Sequence, residues 1–149
     1  MRVVLQRVKE ASVSVVGKTI GVIDGGMLVL VGIEDSDTND DIEYLCRKIL
    51  NLRIFDDSQG VMNLSVTDVK GALLVVSQFT LMASTRKGNR PSYIRASSPE
   101  HALPLYQAFV ERLRSLANIN IATGQFGANM QVSLVNDGPV TLIIDSHER

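Results

Sequence analysis

The sequence has no tryptophan, a single cysteine, two histidines and no long hydrophobic run. A lone cysteine, Cys46, excludes an internal disulfide framework and points to a reducing compartment. His101 and His147 have no second ligand at metal spacing in the chain, so surface or capping roles are expected of them and a zinc site is not. No basic-then-apolar leader and no run near the roughly 18 apolar residues of a membrane span are present, which makes the cytoplasm the expected location. Neither sign of charge dominates: 15 Lys and Arg stand against 16 Asp and Glu, a net charge of −1. A polyanionic partner would have to be met by a local patch and not by the whole surface. Low-complexity tracts, linkers and internal repeats are also missing. So is the usual apparatus of ester hydrolysis, since there is no G-x-S-x-G elbow, no Cys–His pair and no metal cluster.

What is there suits one domain over residues 1–149, with 45% hydrophobic and 21% charged residues and enough length to bury a core. The organising stretch is Gly71–Leu81. Ala72-Leu73-Leu74-Val75-Val76 is an unbroken apolar run, short and β-branched at its end, as expected of a strand covered on both faces. It stops at Ser77, Gln78 and Thr80, set around Phe79. These polar groups either cap the strand's own end or line a site, because burying them unpaired costs about 1–3 kcal/mol each.

Before this run, residues 2–32 read as strands punctuated by glycines, with Gly17-Lys18 and Asp24-Gly25-Gly26 as turns of an antiparallel meander. Met27–Val31 is a second apolar run, expected beside 72–76. The acidic bend Glu34-Asp35-Ser36-Asp37 precedes a helix, and Thr38 with Asp41 resembles a capping box, so helix-end electrostatics explain the acids better than a metal or acid–base site. Ile42, Leu45, Cys46, Ile49 and Leu50 fall on one helical face, which makes Cys46 a packing residue. Leu52–Phe55 is expected as a short strand, and 61–70 carry no clear pattern.

Past Leu81, Thr85-Arg86-Lys87-Gly88-Asn89-Arg90-Pro91-Ser92-Tyr93-Ile94-Arg95 is a cationic loop broken by Gly88 and Pro91. It is either simply solvated or a contact to phosphates, with Tyr93 able to stack on a base. A second helix is expected over about 99–117, with Leu105, Phe109, Leu113 and Leu116 inward. It either begins or kinks at Pro104. Gly124–Ala128 is a loop that lets backbone approach a ligand. Met130, Val132 and Leu134 alternate as a strand, Asn136-Asp137-Gly138-Pro139 turns it, and Val140–Ile144 run back. Base rate alone makes the Gly138–Pro139 bond trans.

Ser77-Gln78-Phe79-Thr80, Asn136-Asp137-Gly138-Pro139-Val140-Thr141, the amino-terminal Met1–Val8 strand, Gly88-Asn89-Arg90-Pro91-Ser92 and Gly124–Met130 together resemble the D-aminoacyl-tRNA deacylase family. The resemblance spans nearly the whole chain, and Tyr93, where phenylalanine is expected, is a mild departure. It implies an α/β protein: a single compact β/β/α domain with mostly antiparallel, barrel-like sheets and two main helices packed on one side. It implies a homodimer whose active sites lie across the subunit interface, and a substrate that is aminoacyl-tRNA. The activity implied is hydrolysis of the ester between a D-amino acid, or mischarged glycine, and the 3′-terminal adenosine.

Among the residues, the resemblance implies a catalytic set of Ser77, Gln78, Phe79 and Thr80. Gly138 and Pro139, joined by a cis bond that reverses the base-rate reading, would reach into the partner's pocket. Phe126, Gly127 and Met130 are expected at the adenosine, and Arg86, Lys87, Arg90 and Arg95 on the tRNA phosphates. No metal or cofactor is expected. Thr80 as a nucleophile would need a base that the sequence does not place near it. Alternatively, amides around Phe79 and Thr80 hold the oxyanion while the ribose 2′-hydroxyl helps activate water, and the resemblance favours this version.

Overall fold

A computed structural model describes residues 1–149. The first strand is long enough to take several partners. β1 (Arg2–Val15) pairs along nearly its whole length with β8 (Gln131–Asp145), antiparallel, from Arg2↔Asp145 to Ser14↔Gln131. On its other edge, the first half pairs with β3 (Gly26–Gly32) and the second half with β2 (Lys18–Ile23). The expected meander is therefore incorrect: β3 returns to β1 and not to β2, because a strand of 14 residues offers room for two partners end to end. The β1–β2 turn is centred on Val16 and Gly17, at φ 49° and 74°, one residue earlier than expected.

β3 then pairs in parallel with β6 (Ala72–Ser77), in register from Gly26↔Ala72 to Val31↔Ser77, and β6 pairs in parallel with β7 (Ile121–Thr123). The two apolar runs are thus neighbours, as their composition requires. β6 is buried on both faces. Leu73 and Val75 join the core beneath the helices, while Ala72, Leu74 and Val76 fill a second core inside the curled sheet. At the far edge Gly21 of β2 comes so near β7 that a Cβ there would lie 2.8 Å from the Thr123 carbonyl, which leaves the sheet nearly closed into a barrel.

α1 (Asn39–Asn51) carries the Thr38–Asp41 capping box and buries Ile42, Leu45, Cys46, Ile49 and Leu50. Burial pushes the Cys46 thiol up to about 12, so it is a packing group. α2 runs over Pro99–Leu116, beginning at Pro99 and accommodating Pro104 inside it. Its inward face is Ala102, Tyr106, Phe109, Val110 and Leu113, while Leu116, expected inward, is 36% exposed. The two helices are tied by Arg112, which donates to Glu43 at 2.6 and 3.0 Å. Hydrogen bonds first from Arg112 and then from Arg47 hold the Glu43 carboxyl down to about 2.

Three further expectations are corrected. The strand expected over Leu52–Phe55 is confined to β4 (Phe55–Asp56), which pairs with β5 (Met62–Leu64) in a separate ribbon. Residues 136–139 do not turn the chain back. β8 continues through them, and while β1 advances from Gln6 to Val8, β8 runs from Thr141 to Asn136, so the four residues between bulge out of the ladder. Asn-Asp-Gly suits a hairpin locally, but the long β1 ladder holds strand on both sides of it. The Gly138–Pro139 peptide in the bulge is cis.

Finally, three of the acids before α1 do not act at the helix end. Asp37 receives the Met1 ammonium and lies 2.9 Å from His147, Glu34 pairs with Arg95 at 3.1 Å, and Asp35 accepts from Ser97 at 2.6 Å. They are ties between segments far apart in sequence.

The β3–β6 ladder leaves no room at its first rung, where a Cβ on Gly26 would lie 1.8 Å from the Ala72 carbonyl oxygen, a backbone atom. Gly26→Ala should therefore destabilise the fold by about 3 kcal/mol or more, read as a drop in the urea midpoint at unchanged slope.

Candidate active site

The last rung of the β3–β6 ladder is the bond from the Gln78 N–H to the Val31 carbonyl, 2.7 Å. Beyond it the chain cannot continue as strand, and Phe79–Met82 wind into a 3-10 turn. The N–H groups at the start of such a turn, here those of Phe79 and Thr80, have no partner within it. The turn's other end is held by Arg2, which donates to the Leu81 carbonyl at 3.0 Å and to Asp145 at 2.8 and 3.0 Å.

Beside the turn lies a cavity of about 460 Å³. Ser77, Gln78 and Phe79 form one side; Phe126, Gly127, Ala128, Asn129 and Met130 form another; Val31, Ile33, Val76, Ser97, Pro99, Ala102 and Val132 contribute the rest. The walls are mainly apolar with a few polar groups at the strand end, which suits a base or another flat apolar ligand carrying a polar appendage. Phe126 is braced from behind by the Tyr106 ring, 5.7 Å between centroids, and Tyr106 in turn donates to the Val75 carbonyl at 2.9 Å. Burial pushes the Tyr106 hydroxyl up to about 12, so it remains a donor. Thr80 is adjacent to the cavity, its hydroxyl accepting from the Gln78 side-chain amide. That partner is a donor and not a base.

Of the residues singled out in the sequence, the fold thus brings together Ser77, Gln78, Phe79, Thr80, Phe126, Gly127 and Met130. It does not bring the others there within one chain. Gly138 and Pro139 are exposed on the β8 bulge and do not line the cavity. Arg86, Lys87 and Arg90 are exposed and make no ion pair, whereas Arg95 is spent on Glu34. Ser97, Pro99 and Ala102 were not foreseen as cavity residues. Ser98-Pro99 marked a helix start, but only the tertiary fold shows that this start faces the strand end. A wider depression of about 940 Å³, lined by Arg47, Lys70 and Asn118 among others, lies by the residues leading into β6, at the opposite end of that strand from Ser77. It holds none of the singled-out residues.

His147 lies at the surface, as expected, but it has acidic neighbours that its place in the sequence does not show. Its Nε2 lies 2.9 Å from Asp37 and 3.2 Å from Glu34, a set whose ligand atoms fall within 4.8 Å of one another. The spacing would admit a cation. Asp37 and Glu34 already face the Met1 ammonium and Arg95, so the cluster reads as an ion-pair network.

The bulge is fastened from below. Arg7, 8% exposed, donates from Nε to the Asp137 carbonyl at 2.9 Å and from Nη1 to the Ile54 carbonyl at 2.5 Å. Asp137 and Asp56 carboxylates lie 3.4 and 3.7 Å from the same guanidinium. Gln6 adds a bond to Asn136 at 2.6 Å. Gly138 is closely fitted: a Cβ there would sit 2.4 Å from the Asn136 amide nitrogen and 3.1 Å from the Val140 N. A protruding segment held this firmly is a rigid presenter of main-chain groups.

The family model described as D-Tyr-tRNA(Tyr) deacylase matches residues 4–145. The chain belongs to this family. D-aminoacyl-tRNA deacylases of Porphyromonas gingivalis and Flavobacterium psychrophilum are 63% and 59% identical over 149 residues, covering 100% of this chain and 99% of each relative. Among solved structures, one titled c-Myc DNA Unwinding Element Binding Protein is 45% identical with a TM-score of 0.93, covering 97% of this chain and 98% of that one. A probable eukaryotic D-amino acid tRNA deacylase, 19% identical with a TM-score of 0.81 over 96% of this chain and 97% of that one, shares the fold. As a member of the deacylase family the chain is a hydrolase, and the nearly closed barrel with two helices is the family's architecture.

Arg7→Leu strips one buried and one half-buried carbonyl of a charged donor, each such bond being worth about 1.5–3 kcal/mol. The expected result is a loss of about 2–4 kcal/mol, with amide exchange at Asp137, Gly138 and Val140 accelerating more than exchange in β6. Uniform acceleration across the molecule would show that Arg7 does not hold the bulge in particular.

Proposed function

We propose that this chain hydrolyses the ester joining a D-amino acid to the 3′-terminal adenosine of tRNA, releasing free D-amino acid and tRNA, and that it rejects L-aminoacyl-tRNA. The observation carrying this reading is the strand end itself: the unpartnered N–H groups of Phe79 and Thr80 stand next to a cavity suited to adenine, in a chain of the deacylase family. Donors so placed can take the charge that develops on the ester carbonyl oxygen, where one of them is typically worth about 10²–10³ in rate. Phe126, Gly127 and Met130 hold the adenosine, with Ser77 and Gln78 at the ester, and Arg86, Lys87, Arg90 and Arg95 are assigned to tRNA phosphates. The attacking water is activated with help from the neighbouring 2′-hydroxyl of the substrate, since the Thr80 hydroxyl is engaged by an amide and not by a base.

Chirality is sorted by shape. In this reading two copies form a homodimer, and Gly138 and Pro139 of each enter the other's pocket, their carbonyls accepting from the substrate's α-ammonium group. Their exposure, the anchorage of the adjoining Asp137 carbonyl by Arg7 and their absence from the pocket lining of their own chain support that arrangement. So do Leu134, Val135 and Ile143, apolar and 39, 46 and 71% exposed on the same strand. With ammonium, carbonyl and α-hydrogen fixed, an L side chain meets the wall and a D side chain points outward. Glycine passes, so deglycylation of mischarged tRNA belongs to the same activity, and side-chain specificity is low. Residues 1–149 act as one domain in translation quality control in the cytoplasm, without a metal or other cofactor.

A second reading, nucleic-acid binding without turnover, is favoured by the unpaired cations at Arg86, Lys87 and Arg90 and by the DNA-binding title of the 45% identical solved structure. Incubation with D-tyrosyl-tRNA and L-tyrosyl-tRNA separates the two. Release from the D-ester alone is expected, and binding without release would establish the second. Thr80→Ala should retain activity within about tenfold of the parent, whereas losing a true nucleophile costs on the order of 10⁴ or more. A folded, tRNA-binding but dead Thr80→Ala would overturn the substrate-assisted mechanism.

A further inference from the structure

Phe79 does two things at once. Its N–H opens the 3-10 turn, and its ring forms part of the cavity rim while remaining 57% exposed. A ring so exposed has few neighbours to fix it. It meets the Tyr93 ring edge to face, with centroids 5.3 Å apart and planes at 69°.

Tyr93 is placed to serve as a brace because the loop that carries it is fastened on both sides. Before it, Ser84 and Ser92 exchange backbone bonds of 2.8 and 2.9 Å, closing the neck of the cationic excursion Thr85–Pro91. After it, the Tyr93 carbonyl accepts from Ala96 at 2.9 Å, Ser97 donates to the Ile33 carbonyl at 3.0 Å, and Arg95 is held by Glu34. The excursion between carries Arg86, Lys87 and Arg90, all exposed and without an ion pair. Tyr93 is therefore the first residue below the closed neck, and its ring joins that loop to the residue whose amide begins the turn.

We propose that Tyr93 is a positioning residue for the hydrolysis, its ring holding Phe79 so that the leading amides of the 3-10 turn keep their aim at the reacting carbonyl. This rests on the deacylase reading. The ring acts and the hydroxyl does not, since the contact is between the two π-systems. Edge-to-face pairs contribute enough to change a rate by roughly three- to tenfold when they are needed only in the transition state. Arg86, Lys87 and Arg90, by contrast, hold the nucleic acid equally in the ground and transition states, so their loss should appear in KM.

The test is a steady-state comparison on D-tyrosyl-tRNA of the parent with Tyr93→Phe, Tyr93→Leu, Tyr93→Ala and the double variant Arg86→Ala/Lys87→Ala. Tyr93→Phe should match the parent. Tyr93→Leu, which keeps apolar bulk and guards against misfolding of the alanine variant, and Tyr93→Ala should lower kcat roughly three- to tenfold with KM within about twofold. The double cation variant should raise KM and leave kcat unchanged. An unchanged kcat in both Tyr93→Leu and Tyr93→Ala would overturn the proposal, as would a Tyr93→Phe as slow as Tyr93→Ala, which would assign the effect to the hydroxyl. A rise in KM alone would make Tyr93 a nucleic-acid contact and also overturn it. A parent with no turnover would instead defeat the deacylase reading on which the proposal stands.

Discussion

The parallel ladder between β3 and β6 is the constraint on which the rest depends. It buries β6 on both faces, so neither strand can shift without exposing one core or the other. It ends at a defined rung, the Gln78-to-Val31 bond, and the chain beyond has no further strand to pair with. The 3-10 turn over Phe79–Met82 is the consequence. Donors left unpaired at a strand end so held would need little reorganisation if charge developed in front of them. The site is thus a by-product of where a buried strand stops.

The second fixed feature is the β1–β8 ladder, and its effect is the opposite. There the pairing resumes beyond the disturbance, so residues 137–140 leave the ladder as a bulge and are not folded back as a turn, with Gly138 and Pro139 exposed and Val140 turned into the core. Arg7 converts the ejected segment into a rigid one by holding its Asp137 carbonyl from a nearly buried position. One ladder presents amide donors beside a cavity, and the other presents exposed main chain on a separate face. Within one chain the two sets do not meet about the cavity. A division of this kind is physically sensible if mirror-image substrates are to be sorted by shape, because a pocket closed by a rigid insert from another subunit has walls on all sides, and an open groove has not.

Much of this was legible in the residues, and what was not failed for definable reasons. The apolar runs 27–31 and 72–76, the Thr38–Asp41 cap and the inward Cys46 follow from local patterns, and local patterns decided them. Ser77–Thr80 and Phe126–Met130 could be singled out by resemblance, and the fold does gather them about one cavity. In sequence Asn136–Pro139 reads as a hairpin turn, because Asn-Asp-Gly chemistry is the same in a turn and in a bulge. The length of β1, more than 120 residues away, chooses between them. Likewise Glu34, Asp35 and Asp37 sit near a helix start in sequence, yet their partners are Arg95, Ser97, His147 and the amino terminus. Charges have several physically acceptable partners, and only tertiary structure selects one.

A protein of net charge −1 would have to meet a polyanion through a local patch. Seven of its 15 Lys and Arg stand in ion pairs, among them Arg2 with Asp145, Arg7 with the bulge, Arg47 and Arg112 with Glu43, and Arg95 with Glu34. The excursion Thr85–Pro91 keeps Arg86, Lys87 and Arg90 out of any such pair, and its neck is closed by backbone bonds instead of by charge. A loop stabilised by its main chain leaves its side-chain charge available to solvent and ligand. A loop stabilised by ion pairs would have to surrender one attraction to gain the other. The main-chain closure of its neck thus leaves this excursion a small patch of unpaired cations on a protein of nearly balanced charge.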